Sequence, residues 1–245
     1  VENLAVIAKV DYDRNDIHLR VDSLFEYTNR LNACRKEPET IKWIETFIQP
    51  GDVVFDIGAN VGAYSLIIDK FTQGTAKVYA FAPVFSTFSQ LNKNIFLNHS
   101  QNRIIPLHIA LSDTGGLVNF NYSSLTPGTA LHALGKAVDN KGHEFTPVVE
   151  QPVLSCCLDD LIAFLKLEKP NHIKLDVDGG EEAVLRGADL TLSDPVVRSI
   201  LIELEPGLET FEKTIAYLEA KGFAIHSAHR HGAGELDTRN YIFVR

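Results

Sequence analysis

Val53–Ser65, VVFDIGANVGAYS, is a β-branched and aromatic run that breaks into glycines and then turns helical. A buried strand that ends in glycines lets the backbone adopt angles closed to side chains and lets it approach a ligand closely. The following helix aims its free N–H groups back at that ligand. The spacing is G-x-N-x-G at Gly58, Asn60 and Gly62, not the G-x-G-x-x-G of dinucleotide folds. No Lys-Ser/Thr pair follows, which excludes a nucleoside triphosphate loop. Asp56, at the end of the strand, would repel a pyrophosphate and suits a ligand that carries an ammonium group.

Outward from this turn the chain alternates strand and helix. Lys77–Phe81 reads as a strand, Val84–Asn98 as a helix and Arg103–Leu111 as a third strand. Later come a helix at Leu158–Leu167, a strand at His172–Val177, a helix at Glu181–Ala188, a strand at Arg198–Glu205 and a helix at Leu208–Lys221. Such alternation predicts a parallel sheet with right-handed crossovers. Phe223–His226 and Tyr241–Val244 are expected to form a closing antiparallel hairpin, connected through Gly232–Asn240. Before the turn, Glu37–Ile48 has helical spacing with Pro38 in its first turn. Asp16–Val21 alternates like a half-buried strand. Residues 1–36 are therefore expected to form a small extension and 37–245 the main domain. An insertion at about 115–150 breaks the rhythm: Leu117–Tyr122 and Pro147–Ser155 read as extra strands, and polar Ser123–Glu144 as a lid.

The 245 residues are 45% hydrophobic and suit one α/β domain. A formal net charge of -9 argues against a general affinity for nucleic-acid backbone, so no nucleic-acid partner is expected. No run is long and apolar enough for a membrane span. Cys34, Cys156 and Cys157 are odd in number and lack metal-ligand spacing, which reads as free thiols in a reducing compartment. The opening VENLAVIAKVDYDRND becomes charged within its first dozen residues and lacks a secretory pattern. The expected location is cytoplasmic. Oligomeric state is left open.

Several stretches together resemble the FkbM family of S-adenosylmethionine-dependent methyltransferases. They are Glu37–Leu66, Val78–Ile95, Ile109–Asp113 (IALSD), Leu158–Leu161 (LDDL) and Ile173–Ala188 (IKLDVDGGEEAVLRGA). The resemblance implies an α/β, Rossmann-like sheet of seven mostly parallel strands, the last antiparallel, with helices on both faces. It implies S-adenosylmethionine as cofactor and a small-molecule or carbohydrate acceptor methylated on a hydroxyl. By position, Asp56, Gly58, Ala59, Asn60 and Gly62 would line the methionine end. Phe81 and Ala82 would face the ribose, and Ala110, Leu111 and Ser112 would border the adenine. One departure matters. The family usually places an acid where Ala82 stands, and a lost charged hydrogen bond costs roughly 1.5–3 kcal/mol, about ten- to a hundredfold in affinity. A catalytically weak or inactive binding protein is therefore the alternative expectation.

For the chemistry, a base within reach of the acceptor hydroxyl is needed. Asp176, Asp178 and Glu203, at neighbouring strand ends, are the catalytic candidates. Glu181 and Glu182 read as helix N-terminal acids. The same carboxylates could offer oxygen ligands to Mg²⁺ or Ca²⁺. Their proximity in sequence does not make a site, and no metal is assigned. His226, His229 and His231 read as surface residues, and His143 as a weak base candidate in the lid.

Overall fold

In a computed structural model of the chain, the described residues are 6–130, 132–138, 143–207, 209–230 and 239–245. The chain opens with β1 (Val6–Lys9) and β2 (His18–Val21), then a π-helical turn at Glu26–Arg30, α1 (Ala33–Lys36) and α2 (Pro38–Phe47). Next come β3 (Val53–Ile57), α3 (Ala63–Phe71), β4 (Lys77–Phe81), α4 (Phe85–Leu97) and β5 (Ile104–Leu107). A smaller sheet follows, made of β6 (Ala110–Leu111), β7 (Gly116–Tyr122), β8 (Ala133–Leu134) and β9 (Val149–Cys156). The chain closes with α5 (Leu158–Leu165), β10 (His172–Leu175), α6 (Glu181–Arg186), α7 (Asp189–Ser193), β11 (Ser199–Leu204), α8 (Glu209–Ala220), β12 (Ala224–Arg230) and β13 (Arg239–Val244).

The main sheet has seven strands in the order β12-β13-β11-β10-β3-β4-β5. β11, β10, β3, β4 and β5 run parallel, and β13 enters antiparallel between β11 and β12. Strand alternation splits the core in two. Val54, Val78, Ala80, Ile104, Leu201 and Ile242 pack with α2, α3 and α4 on one face. Phe55, Ile57, Phe81, Ile173, Leu175, Ile200 and Phe243 pack with α5 to α8 on the other. After β3 the chain moves one way, to β4 and β5, and later returns to the other side as β10. The carboxyl ends of β3 and β10 therefore flank a switch point, where open α/β sheets hold ligands.

The stretch expected as a single third strand, Arg103–Leu111, divides. β5 stays on the main sheet as its edge, where Pro106 is tolerated because an edge strand has one unpaired side. At His108 the chain leaves. Its ring stacks on Phe88 with centroids 4.7 Å apart and its Nε2 lies 2.9 Å from the Pro83 carbonyl. β6 then pairs with β9 in the smaller sheet. β7 and β9 pair antiparallel from Gly116↔Ser155 to Tyr122↔Val149. The presumed lid between them contains β8. The fourth core strand is also shorter than expected, ending at Leu175 rather than Val177. The connection expected at Gly232–Asn240 lies largely outside the described residues.

The N-terminal extension is held by a row of amides. β2 offers a bare backbone edge to α4, and side chains spaced one turn apart fill it. Gln90 donates to the Arg20 carbonyl at 2.7 Å, and Asn94 accepts the Arg20 N–H at 2.8 Å. Asn98 accepts the His18 N–H at 3.0 Å and donates to the His18 carbonyl at 2.7 Å. An i, i+4, i+8 spacing puts the three on one helix face.

Candidate active site

The turn after β3 is shaped by close approach. The Gly58 and Ala59 N–H groups both donate to the Phe81 carbonyl, at 3.1 and 2.9 Å. Gly58 has φ 86°, and a Cβ there would sit 1.8 Å from the Asp176 carbonyl oxygen. Gly62 has φ 89° and precedes α3; its Cβ would meet a Leu91 methyl at 2.5 Å. Asn60, at φ 50°, accepts the Val61 N–H at 2.9 Å and donates to the Thr129 carbonyl at 3.1 Å. Asp56 is 1% exposed beneath the turn. Ser65 donates to one of its oxygens and the other has no partner. Burial pushes its carboxyl up, against the pull of the Lys174 charge.

Above the turn lies a cavity of about 460 Å³. Gly58, Asn60, Phe81, Ala82, Ala110, Leu111 and Ser112 line it, as do Asp176 and Asp178. Asp56, Ala59, Gly62 and Glu203 do not. The cofactor-loop residues are thus divided between those that face the space and those that hold the turn from below. Thr129, His132 and Lys136, from the segment between β7 and β9, add a wall.

Charge is concentrated where β10 ends. Lys174 is 1% exposed and its Nζ lies 2.9 Å from Asp176 Oδ2. Burial would drive this ammonium down, but the charges of Asp176, Asp56 and Glu37 outweigh it and hold Lys174 above its ordinary range. Burial would likewise raise Asp176; the charge and hydrogen bond of Lys174 prevail and keep it well below the carboxylate range. Glu203 is the counterpart. Burial, then the negative charges of Asp176 and Glu37, push it up to about 9, and it hydrogen-bonds Asp176. The pair is thus a carboxylate facing the cavity backed by a protonated acid. Asp178 sits at φ 59°, in the loop that follows. Glu181 accepts the Val177 and Gly179 N–H groups, each at 3.2 Å, and burial raises it to about 7. Glu182 pairs with Arg186 one turn later.

Of the polar residues at the cavity that the sequence reading does not single out, two are buried. His132 is buried, and burial lowers it to about 4. The Ser123 N–H donates to its Nδ1 at 3.2 Å, which assigns the remaining proton to Nε2. It therefore offers a donor rather than a base. Thr87, in the first turn of α4, is 2% exposed and its hydroxyl has no partner. Neither residue stands in a motif; a polar residue in a helix's first turn reads as a cap. His143 does not line the cavity. His226 packs edge-on against Phe47 and His229 lies on β12, while His231 is outside the described residues. Among the described residues no three His, Cys, Asp or Glu side chains converge as metal ligands. No described helix is long and apolar enough to cross a membrane.

Residues 56–225 match the methyltransferase FkbM domain. Hexuronic acid methyltransferase AglP of Haloferax volcanii is 27% identical over 192 residues, covering 78% of this chain and 72% of that one. The 31-O-demethyl-FK506 methyltransferase FkbM of Streptomyces tacrolimicus is 27% identical over 198 residues, covering 73% and 75%. Among solved structures, the methyltransferase FkbM of Methylobacillus flagellatus superposes with a TM-score of 0.57 at 17% identity. That match covers 80% of this chain but only 44% of the other, so the chain spans less than half the length of that protein.

Proposed function

The chain belongs to the FkbM methyltransferase family, and from that premise we propose that it methylates a hydroxyl of a sugar, glycan or related natural product. Its methyl donor is S-adenosylmethionine. One relative is named for a hexuronic acid and another for an oxygen of a natural product, which supports an oxygen acceptor. The observation that carries the reading is the single cavity joining the Gly58–Asn60 turn to Asp176 and Asp178.

The residues present fit the donor. The volume is within the roughly 300–1,000 Å³ of small-molecule sites. Carboxylates stand at one end, where an ammonium and a sulfonium would need them, and apolar Phe81, Ile109 and Leu111 flank the rest. A buried hydroxyl, Thr87, waits without a partner. When bound, the donor supplies an electrophilic methyl group. Gly58 and Asn60 would hold its amino-acid end, and Ala110–Ser112 would border its base. Asp176, kept ionised by Lys174, is placed to accept a hydrogen bond from the acceptor hydroxyl. A carboxylate so acidic is a weak base in the ground state. The hydroxyl proton becomes far more acidic as the new carbon–oxygen bond forms, so Asp176 can take it late in transfer. Lys174 and Glu203 act through Asp176 by fixing its position and charge. Positioning supplies much of the remaining acceleration. Ala82 favours a second reading, a binder with weak or no turnover, because a methyl group cannot accept the ribose hydrogen bonds.

Calorimetric titration with S-adenosylhomocysteine, followed by labelled methyl transfer to a panel of glycans and hydroxylated natural products, tests the reading. Micromolar binding with transfer supports it. Binding with no transfer to any acceptor selects the second reading, and no binding at saturating ligand overturns both.

A further inference from the structure

We propose that Glu181 is a positioning residue of the cavity: its carboxylate holds the Val177–Gly180 loop in shape, and with it the wall that carries Asp178. The inference rests on the reading that the cofactor binds in this cavity.

Val177, Asp178, Gly179 and Gly180 all line the cavity, whereas Glu181 does not. Both ends of the loop are anchored. At its start the Asp176 N–H donates to the Ile57 carbonyl at 3.0 Å, and at its end the Val184 N–H of α6 donates to the Gly180 carbonyl at 3.0 Å. Between these points two successive residues are left-handed, Asp178 at φ 59° and Gly179 at φ 104°. An aspartate adopts that conformation at a cost, so its surroundings must hold it there. Backbone pairing does not do so. Neither the Val177 nor the Gly179 N–H donates to a backbone carbonyl among the described residues. Both donate instead to one oxygen, Glu181 Oε1, each at 3.2 Å.

One side chain thus ties together the residues on either side of Asp178. Two donors converging on a single acceptor fix the direction of both peptides, and a loop N–H left without a partner is costly. Burial raises the Glu181 carboxyl, while hydrogen bonds from its own N–H and from Gly179 and Val177 oppose the rise. Glu182, the next residue, reaches Arg186 instead, so the two acids in the first turn of α6 have different partners.

The test is calorimetric binding of S-adenosylhomocysteine to wild type, Glu181→Ala, Glu181→Asp and Glu181→Gln, with amide hydrogen exchange over residues 176–181 of the ligand-free proteins. Glutamine keeps the length and an acceptor oxygen but not the charge. Aspartate keeps a charge at the helix start but is one carbon short. Glu181→Ala and Glu181→Asp are expected to bind about tenfold more weakly and to exchange the Val177 and Gly179 amides about tenfold faster. Glu181→Gln should recover most of both. If aspartate behaves as wild type and glutamine as alanine, charge rather than reach is responsible and the inference is overturned. Unchanged exchange in Glu181→Ala would overturn it too. Faster exchange with wild-type affinity would make Glu181 a support of the fold alone, which also overturns it. Failure of wild type to bind would overturn the cofactor reading, while the exchange rates would still decide whether Glu181 holds the loop. The aspartate and glutamine variants keep the test open if the alanine variant folds poorly.

Discussion

Gly58 and Asp176 touch backbone to backbone: a single carbon added to Gly58 would lie 1.8 Å from the Asp176 carbonyl oxygen. The first turn of the cofactor loop and the start of the acidic loop are thus one packed unit. The Asp176 N–H in turn donates to the Ile57 carbonyl at 3.0 Å. Gly58→Ala must therefore push the two loops apart and also strain a residue at φ 86°. Overpacking and a left-handed alanine together predict a loss of about 2–4 kcal/mol. Urea unfolding followed by the fluorescence of Trp43, the chain's single tryptophan, measures it. S-adenosylhomocysteine affinity should fall with it; a variant of wild-type stability would mean the loops are not in contact.

Asn94 ties the N-terminal extension to the same turn. It is fully buried, accepts the Arg20 N–H at 2.8 Å and donates to the Val61 carbonyl at 2.9 Å. Asn94→Ala leaves both backbone groups unpaired, each costing about 1–3 kcal/mol. Since Val61 lies between Asn60 and Gly62, cofactor affinity should drop as well. A variant that loses stability but binds S-adenosylhomocysteine normally would show that the bridge serves the extension alone.

The parts legible in the sequence were those set by neighbours along the chain. β3, β4, β10 and β11 announce themselves because each is a short apolar run, and the turn at Gly58–Gly62 because its glycines and Asn60 are local requirements. What stayed hidden depends on residues far apart. β5 ends where it does because His108 finds Phe88, and the extension docks through Asn98 and His18, 80 positions apart. Glu203 is a catalytic candidate by its place at a strand end; that it hydrogen-bonds Asp176 and does not itself line the cavity is not legible, since alternation along a strand does not tell which neighbour screens it. Thr87 carries no motif; that its buried hydroxyl lacks a partner is visible only once the walls around it are known.

The proton on Glu203 makes stability depend on alkaline pH. Its native value is about 9 against an ordinary 4.5. Between these values the native state holds a proton that the unfolded chain has released, so stability declines as pH rises. His132 and His172, both lowered to about 4, are neutral in either state above pH of about 7.5 and do not contribute there. Glu203→Gln keeps a donor toward Asp176 but does not titrate. The urea midpoint of wild type should fall from about pH 7.5 to about pH 9, and that of Glu203→Gln should fall less. Parallel slopes would place the titrating group elsewhere.

Arg30 is expected to govern how firmly the cavity is roofed. Its guanidinium donates twice to the Gly128 carbonyl, at 2.9 and 2.5 Å, and Ser23 reaches the Pro127 carbonyl at 3.4 Å. The next residue, Thr129, lines the cavity and is held from below by Asn60. The π-helical turn at Glu26–Arg30, closed by the Leu31 N–H on the Glu26 carbonyl at 3.2 Å, is what points Arg30 at this loop. Arg30→Ala removes charged hydrogen bonds worth about 1.5–3 kcal/mol, which would otherwise hold the segment down. Because the segment lies outside the main sheet, the loss should appear locally. Limited proteolysis between residues 123 and 138 should speed up about tenfold or more, and S-adenosylhomocysteine should dissociate faster. The urea midpoint should move little. If the midpoint falls instead and cleavage there is unchanged, Arg30 supports the fold at large rather than the cavity wall.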